Sequence, residues 1–137
     1  MKSLPAIVYW TARLLAALIM LQTLFFKFTA SSESVYIFTT VGMEPWGRIM
    51  VGVLELIASV MLLINRIAWM GALLGLGLMS GAIVMHLAIL GISVQDDGGQ
   101  LFTYALLVSA CSVLVLIIDR VKIIRKWNIL FPSLRVR

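Results

Sequence analysis

The chain is dominated by four apolar runs, 7–28, 46–64, 67–92 and 101–118, joined by short polar connections. Crossing the roughly 30 Å hydrocarbon core of a bilayer takes about 20 apolar residues of α-helix, because each residue advances the axis by only about 1.5 Å. Each run is of that order, and none alternates apolar and polar residues as a half-buried strand does. The composition agrees: 62% of the 137 residues are hydrophobic and 12% are charged, against about 25% charged in soluble domains. The expected fold class is all-α. It is a polytopic membrane protein, a four-transmembrane-helix bundle forming one integral membrane domain over residues 1–137.

The charges predict how that bundle sits. Lys2, Arg66, Arg120, Lys122, Arg125, Lys126, Arg135 and Arg137 fall on one side, and Glu33, Glu44, Asp96 and Asp97 on the other, with Lys27 and Arg48 near that second edge. Lys and Arg accumulate on the cytoplasmic side of membrane proteins, so both termini are expected there. The net charge of +5 is thereby explained by topology, and nucleic acid is not expected as a partner. The start "MKSLPAIVYW" and the later "FTASSES" imitate a signal peptide, but the apolar run is too long for one and carries Arg13, so it is expected to stay attached. On the outer side, "SSESVYIFTTVGMEPW" reads as a short interfacial helix with Ser32 as its N-cap, Gly42 as its stop and Pro45 starting the next span. The basic tail, 119–137, places Ile123, Ile124, Trp127, Leu130 and Phe131 at helical spacing against Lys122, Arg125 and Lys126. That is the pattern of an amphipathic helix on anionic lipid, or of a partner-docking helix.

Glu55 lies near the middle of the second run. A carboxylate there costs roughly 2.5–3.5 kcal/mol even on insertion scales, so it needs a partner, a proton or a water-filled neighbour. Residues seven apart on a helix nearly eclipse one another. Arg13, Met20 and Lys27 therefore share a stripe of the first helix, and Arg48, Gly52, Glu55 and Ser59 a stripe of the second. Gly75, Met79, Ala82 and His86 share a face of the third, and Tyr104 and Cys111 of the fourth. Counting helical rise from the outer ends sets Lys27 and Arg48 near the surface, His86 about a third of the way in, Glu55 near the middle and Arg13 deeper. The expectation is that Arg13 reaches Glu55 as its counter-ion, with Lys27, Arg48 and His86 above it. Those five residues would line a ligand-binding pocket open to the outside. The structural alternative is that Arg13 and Glu55 only pin the helices together.

His86 without Cys or His companions at metal spacing does not make a metal site. Cys111 reads as an inert core residue, and the methionines as flexible core filling. Gly71/Gly75 and Gly77/Gly81 have small-xxx-small spacing, read first as packing within the monomer and second as a homodimer face.

The segments "ARLL", "FFKF", "FTTVGMEPW", "VGVLEL" and "NRIAWMGALL", in this order, resemble the DoxX family of small bacterial membrane proteins. Arg13, Lys27 and Glu55, with Gly42-x-x-Pro45 between, are the matched positions. One departure is that bulky Leu24, Phe25 and Phe26 stand where a small residue often precedes the lysine. The resemblance implies a four-helix bundle in the bacterial cytoplasmic (inner) membrane. For some members it implies a place in membrane-associated oxidoreductase complexes, one relative being described as a subunit of a thiosulfate:quinone oxidoreductase. This chain has no cysteine pair, haem-ligand pair or dinucleotide glycine motif, so electron transfer would need a soluble or membrane redox partner.

Three functions follow as expectations. The first is a binding or accessory subunit holding a quinone-like or lipid-like molecule by its polar head. The second is a small proton-coupled transporter using Glu55. The third is a structural or chaperone-like membrane partner. An independent enzyme has the least support, since no nucleophile–base pair or metal set is present.

Overall fold

A computed structural model describes residues 4–134; Lys2, Arg135 and Arg137 of the charge pattern lie outside the described residues. The order is α1 (Leu4–Phe28), α2 (Ser32–Thr40), α3 (Trp46–Leu63), α4 (Ala68–Met85) with a π-helical turn at His86–Leu90, and α5 (Gln100–Leu130) followed by a 3-10 turn at Pro132–Leu134. No strand occurs among the described residues. Helices α1, α3, α4 (with its π-turn) and α5 are long and apolar enough to cross a membrane. Their outward faces carry Leu18, Phe25, Leu87 and Ile117, all well exposed, as suits a surface solvated by lipid. The chain is a multi-pass membrane protein.

The four long helices form a ring in which α1 packs on α3 and α5, and α4 packs on the same two. The N-terminus of α1, the 64–67 turn and the end of α5 share one end of the bundle, called here the terminal end. Helix α2 and the 91–99 loop lie at the other, the α2 end. At the terminal end small residues bring the backbones together: Ala16, Ala58, Ala68 and Ala72 are fully buried. A Cβ on Gly71 would stand 2.7 Å from the Leu62 nitrogen and 2.8 Å from the Ala58 oxygen, so glycine is required where α4 crosses α3. Gly75 packs against Met20 and Ser112. Gly77 and Gly81 do not pack at all, since nothing lies within 4 Å of either added Cβ. The expectation of close backbone approach holds for the first glycine pair and fails for the second.

Two other differences have local causes. The fourth helix does not stop at 118; it continues unbroken to Leu130 because no Gly or Pro interrupts it until Pro132. Its amphipathic segment is therefore an extension of the span. The N-cap of α2 is Ser31 rather than Ser32, its hydroxyl oxygen accepting from the Ser34 N–H at 3.3 Å. Helix α2 lies across the end of the bundle and buries Ser34 and Phe38. The loop after the π-turn is organised by Asp97, whose carboxylate accepts from the N–H groups of Val94 (2.9 Å), Gly99 (2.8 Å) and Leu101 (3.1 Å) at the start of α5. Burial pushes this carboxyl up, but the three N–H donations outweigh it and hold it below the usual aspartate range.

Gly71→Ala is expected to destabilise the bundle by about 1–3 kcal/mol through overpacking. Gly77→Ala should be neutral or stabilising, because it gains helix propensity without a clash; unfolding in mixed detergent micelles compares the two. The stability that Asp97 contributes is present above its ordinary value of about 3.9 and is lost as the pH falls through the lower folded value. Protection of the Gly99 and Leu101 amides from hydrogen exchange, corrected for intrinsic rates, should fall on acidification, and Asp97→Asn should remove that dependence.

Candidate functional site

The carboxylate of Glu55, 4% exposed, is paired, and its partner is Lys27: Nζ lies 2.9 Å from Oε2. Thr23 Oγ1 lies 3.2 Å from the same oxygen and 2.9 Å from the Met20 carbonyl, so its single proton serves one acceptor at a time. Oε1 accepts from no described residue. The expected Arg13–Glu55 pair does not form. Arg13 Nε donates to the Leu62 carbonyl at 2.6 Å and Nη1 to Asn65 Oδ1 at 2.7 Å. Leu62 is seven residues, about 10 Å, beyond Glu55 on α3. The reason is axial register. Gly52 of α3 faces Lys27 and Phe28 of α1, so Lys27 starts about one turn from Glu55, whereas Arg13 lies 14 residues, about 21 Å, farther along α1.

Arg13 is wholly buried and has no carboxylate partner. Its guanidinium lies 4.0 Å from the Trp10 ring centroid and 4.9 Å from that of Tyr9, a cation–π arrangement that offsets part of the cost of burial. Its Nη2 has no hydrogen-bond partner among the described residues. Beside it, Asp119 is 2% exposed, accepts from Tyr9 Oη at 2.8 Å and pairs with Lys122 at 2.8 Å. Sequence reasoning missed Asp119, Tyr9, Asn65 and Thr23. The signal for Asp119 was available, since Ala105, Ser112 and Asp119 form the buried stripe of α5, one residue out of phase with the Tyr104 and Cys111 chosen from the pattern.

Arg48 also stands apart from the pair. Nε and Nη2 grip Glu44 at 2.8–2.9 Å, and Nη1 donates to the Lys27 carbonyl. It ties the start of α3 to the end of α1 and so sets the position of Lys27.

Between the pair and α2 lies a cavity of about 410 Å³, within the size range of small-molecule sites. Lys27, Glu55 and His86 line it; Arg13 and Arg48 do not. Most of its wall is apolar, and four of the eight methionines, Met20, Met43, Met79 and Met85, contribute to it. Unbranched thioether side chains let such a wall adapt to its contents. Helix α2 and its C-cap residue partly cover the end with Ile37, Phe38 and Val41, and Glu33 stands at the rim. Burial, and then the nearby Asp97 charge, push the Glu33 carboxyl up.

His86 is presented by the π-helical turn, whose extra residue is closed by the Gly91 N–H donating to the His86 carbonyl at 2.8 Å. Gly91 takes φ +79°, a conformation that favours glycine. Its carbonyl lies 2.8 Å from His86 Nδ1. A carbonyl can only accept, so Nδ1 carries a proton, and Nε2 is the ring nitrogen without a partner among the described residues. The wall therefore offers one ammonium, one carboxylate and one imidazole.

The DoxX family model matches residues 9–88, the stretch that carries α1 to α4 and ends just past His86. The chain belongs to the DoxX family. No curated protein and no solved structure gives a match. The matched DoxX segment holds Lys27, Glu55 and His86, while the α5 side of the cavity, Gln100 to Ala105, lies beyond it.

Lys27→Met should cost about 3–5 kcal/mol, because it strands a buried carboxylate. Glu55→Gln should cost less, since the amide keeps hydrogen-bonding capacity and the freed ammonium lies nearer the helix end. The double variant should resemble Glu55→Gln alone, and a double-mutant cycle in detergent measures that non-additivity.

Proposed function

We propose that this DoxX-family protein is a binding or accessory subunit of a membrane-associated oxidoreductase system. It holds a quinone-like or lipid-like molecule in the bundle cavity, with Lys27, Glu55 and His86 orienting the polar head. The observation that carries the reading is the combination in one cavity of an adaptable apolar wall with a few placed polar groups, the usual make-up of a small-molecule site. A carbonyl oxygen of the ligand would accept from Lys27, and a hydroxyl would donate to Glu55 Oε1 or His86 Nε2. The oxidoreductase setting comes from the family resemblance, and electrons would pass through a partner protein, since the chain has one cysteine and one histidine. Arg66, Arg120, Lys122, Arg125 and Lys126 at the terminal end, against Glu33, Glu44, Asp96 and Asp97 at the α2 end, favour an inner-membrane orientation with both termini cytoplasmic.

Binding is favoured over proton-coupled transport by what lies beneath the cavity. Ala16, Ala58, Leu62 and Val108, all without exposed surface, fill the bundle between Glu55 and the Arg13–Asp119 cluster. A transporter would need a second access route there.

Native mass spectrometry of gently purified protein should show a retained small molecule of defined mass. Glu55→Gln and His86→Phe should lower its occupancy several-fold, while Lys126→Ala, remote from the cavity, should not. Absence of any retained mass, together with no effect of Glu55→Gln, would sink the proposal.

A further inference from the structure

All four long helices line the cavity, and two of the seams between them contrast. At the α1–α5 seam side chains stand in the wall: Gln22, Phe26 and Tyr104 all line the cavity there, with Gln22 and Phe26 also reaching the outside of the bundle. The α3–α4 seam is different. On α4 it is lined by Gly77 and Gly81, which are exposed on the outside of the bundle and yet also line the cavity. Nothing lies within 4 Å of where a Cβ on either would stand. The same short stretch of backbone thus faces the cavity on one side and the surroundings of the bundle on the other. Toward the terminal end the seam is shut, because Gly71 presses α4 onto Ala58 and Leu62. Glu55 lies eight residues before the last residue of α3, and Gly77 nine after the first of α4, so at about 1.5 Å per residue the gap opens level with the ion pair.

We infer that the gap between α3 and α4 at Gly77 and Gly81 is a side portal. Through it a ligand enters the cavity from the hydrocarbon of the bilayer, and the apolar chain of the bound ligand lies in it. This rests on the binding function proposed above and narrows the ligand class to molecules with a compact polar head and a long apolar chain. The reasons are physical. A space of about 410 Å³ takes a head and the start of a chain but not a whole membrane lipid, so the rest must leave the bundle. The α2 end is partly covered by Ile37, Phe38 and Val41 and is otherwise polar, with Ser31, Glu33 and Gln100, which does not suit an apolar chain, and the terminal end is packed. Of the two contrasting seams, α3–α4 is the one whose wall is bare backbone at two positions, Gly77 and Gly81. Val51 and Leu78 border it, so its edges are apolar. A membrane quinone and a neutral glycerolipid share this chemistry.

The test uses the full chain in micelles with three probes: decylubiquinone, monoolein and the tailless ubiquinone-0. In the double variant Gly77→Leu with Gly81→Leu, affinity for the tailed probe that binds the native protein should fall by about tenfold or more. Ubiquinone-0 should stay within about twofold where it binds. Gly81→Leu alone, read beside a melting curve, serves if the double variant misfolds, and should show the same selectivity to a smaller degree. Binding of decylubiquinone alone or of monoolein alone supports the portal equally and identifies the source of the head. Unchanged affinity for the tailed probe overturns the portal. The binding function then survives if Glu55→Gln still weakens that probe. Equal loss of tailed and tailless probes also overturns it, since the glycines would then only shape the cavity. So does conversion of a dimer to monomers with tailed-probe affinity intact, which would make the glycine stripe a contact between copies. Failure of the native chain to bind any of the three overturns both portal and function.

Discussion

The Lys27–Glu55 ion pair is the interaction around which the α2 half of the bundle is arranged. A carboxylate at this depth is tolerable only with a close cation and further hydrogen bonds. Lys27 comes from the last turn of α1, with Thr23 one turn below it. The pair therefore fixes the sliding of α1 against α3. Arg48 reinforces that register from above by holding the Lys27 carbonyl while Glu44 neutralises its charge. Three charged side chains that look alike in the sequence thus have unequal duties: one cation meets the buried acid, one positions that cation, and Arg13 belongs to the opposite end.

That register divides the bundle into a closed half and an open one. At the terminal end, alanines and Gly71 let backbones touch, and a short turn joins α3 to α4. Farther along, the pair at Gly77 and Gly81 offers no side chain to fill the space, and four methionines stand among the apolar residues that face it. Close-packed interiors leave few voids larger than a water molecule. A cavity of about 410 Å³ beside a charged pair is therefore a departure that local sequence choices maintain, and not a by-product of loose packing, because the same helices pack tightly one half-length away.

The sequence made some levels of this arrangement legible and left others out of reach, and the difference follows from what periodicity encodes. Run length and the absence of alternation identify the spanning helices, and seven-residue spacing identifies the buried faces of α1, α3 and α4: Arg13, Met20, Gly52, Glu55, Ser59, Gly75, Met79 and His86 are all buried. Periodicity reports rotation about a helix axis and nothing about translation along it. Counting rise from the span ends put Arg13 deeper than Glu55, and the pairing failed because the offset, two turns of α3 to the Leu62 carbonyl, exceeds what the side chain bridges. Asp119 was missed because it follows an apolar run and was read as the beginning of the tail, although α5 continues for 11 residues past it. Gly77 and Gly81 match the small-residue spacing as well as Gly71 and Gly75 do, but they fall on a different face of α4, and spacing alone does not say which face meets a neighbouring helix.

The separation of charges also bears on the head group that the cavity suits. Had Arg13 met Glu55, Lys27 would face the cavity as an uncompensated cation and the site would favour an anion such as a phosphate. With Lys27 and Glu55 paired, and Arg48 answered by Glu44, no unpaired lysine or arginine lines the wall, and Glu33 at the rim adds a carboxyl group. An anionic head entering this space would lose its hydration and find its only ammonium already engaged, and such desolvation is repaid only by excellent pairing. A neutral head with carbonyl and hydroxyl groups meets donors and acceptors without that cost. The ion pair that makes Glu55 tolerable in the membrane therefore also selects, through its own neutrality, for uncharged polar heads.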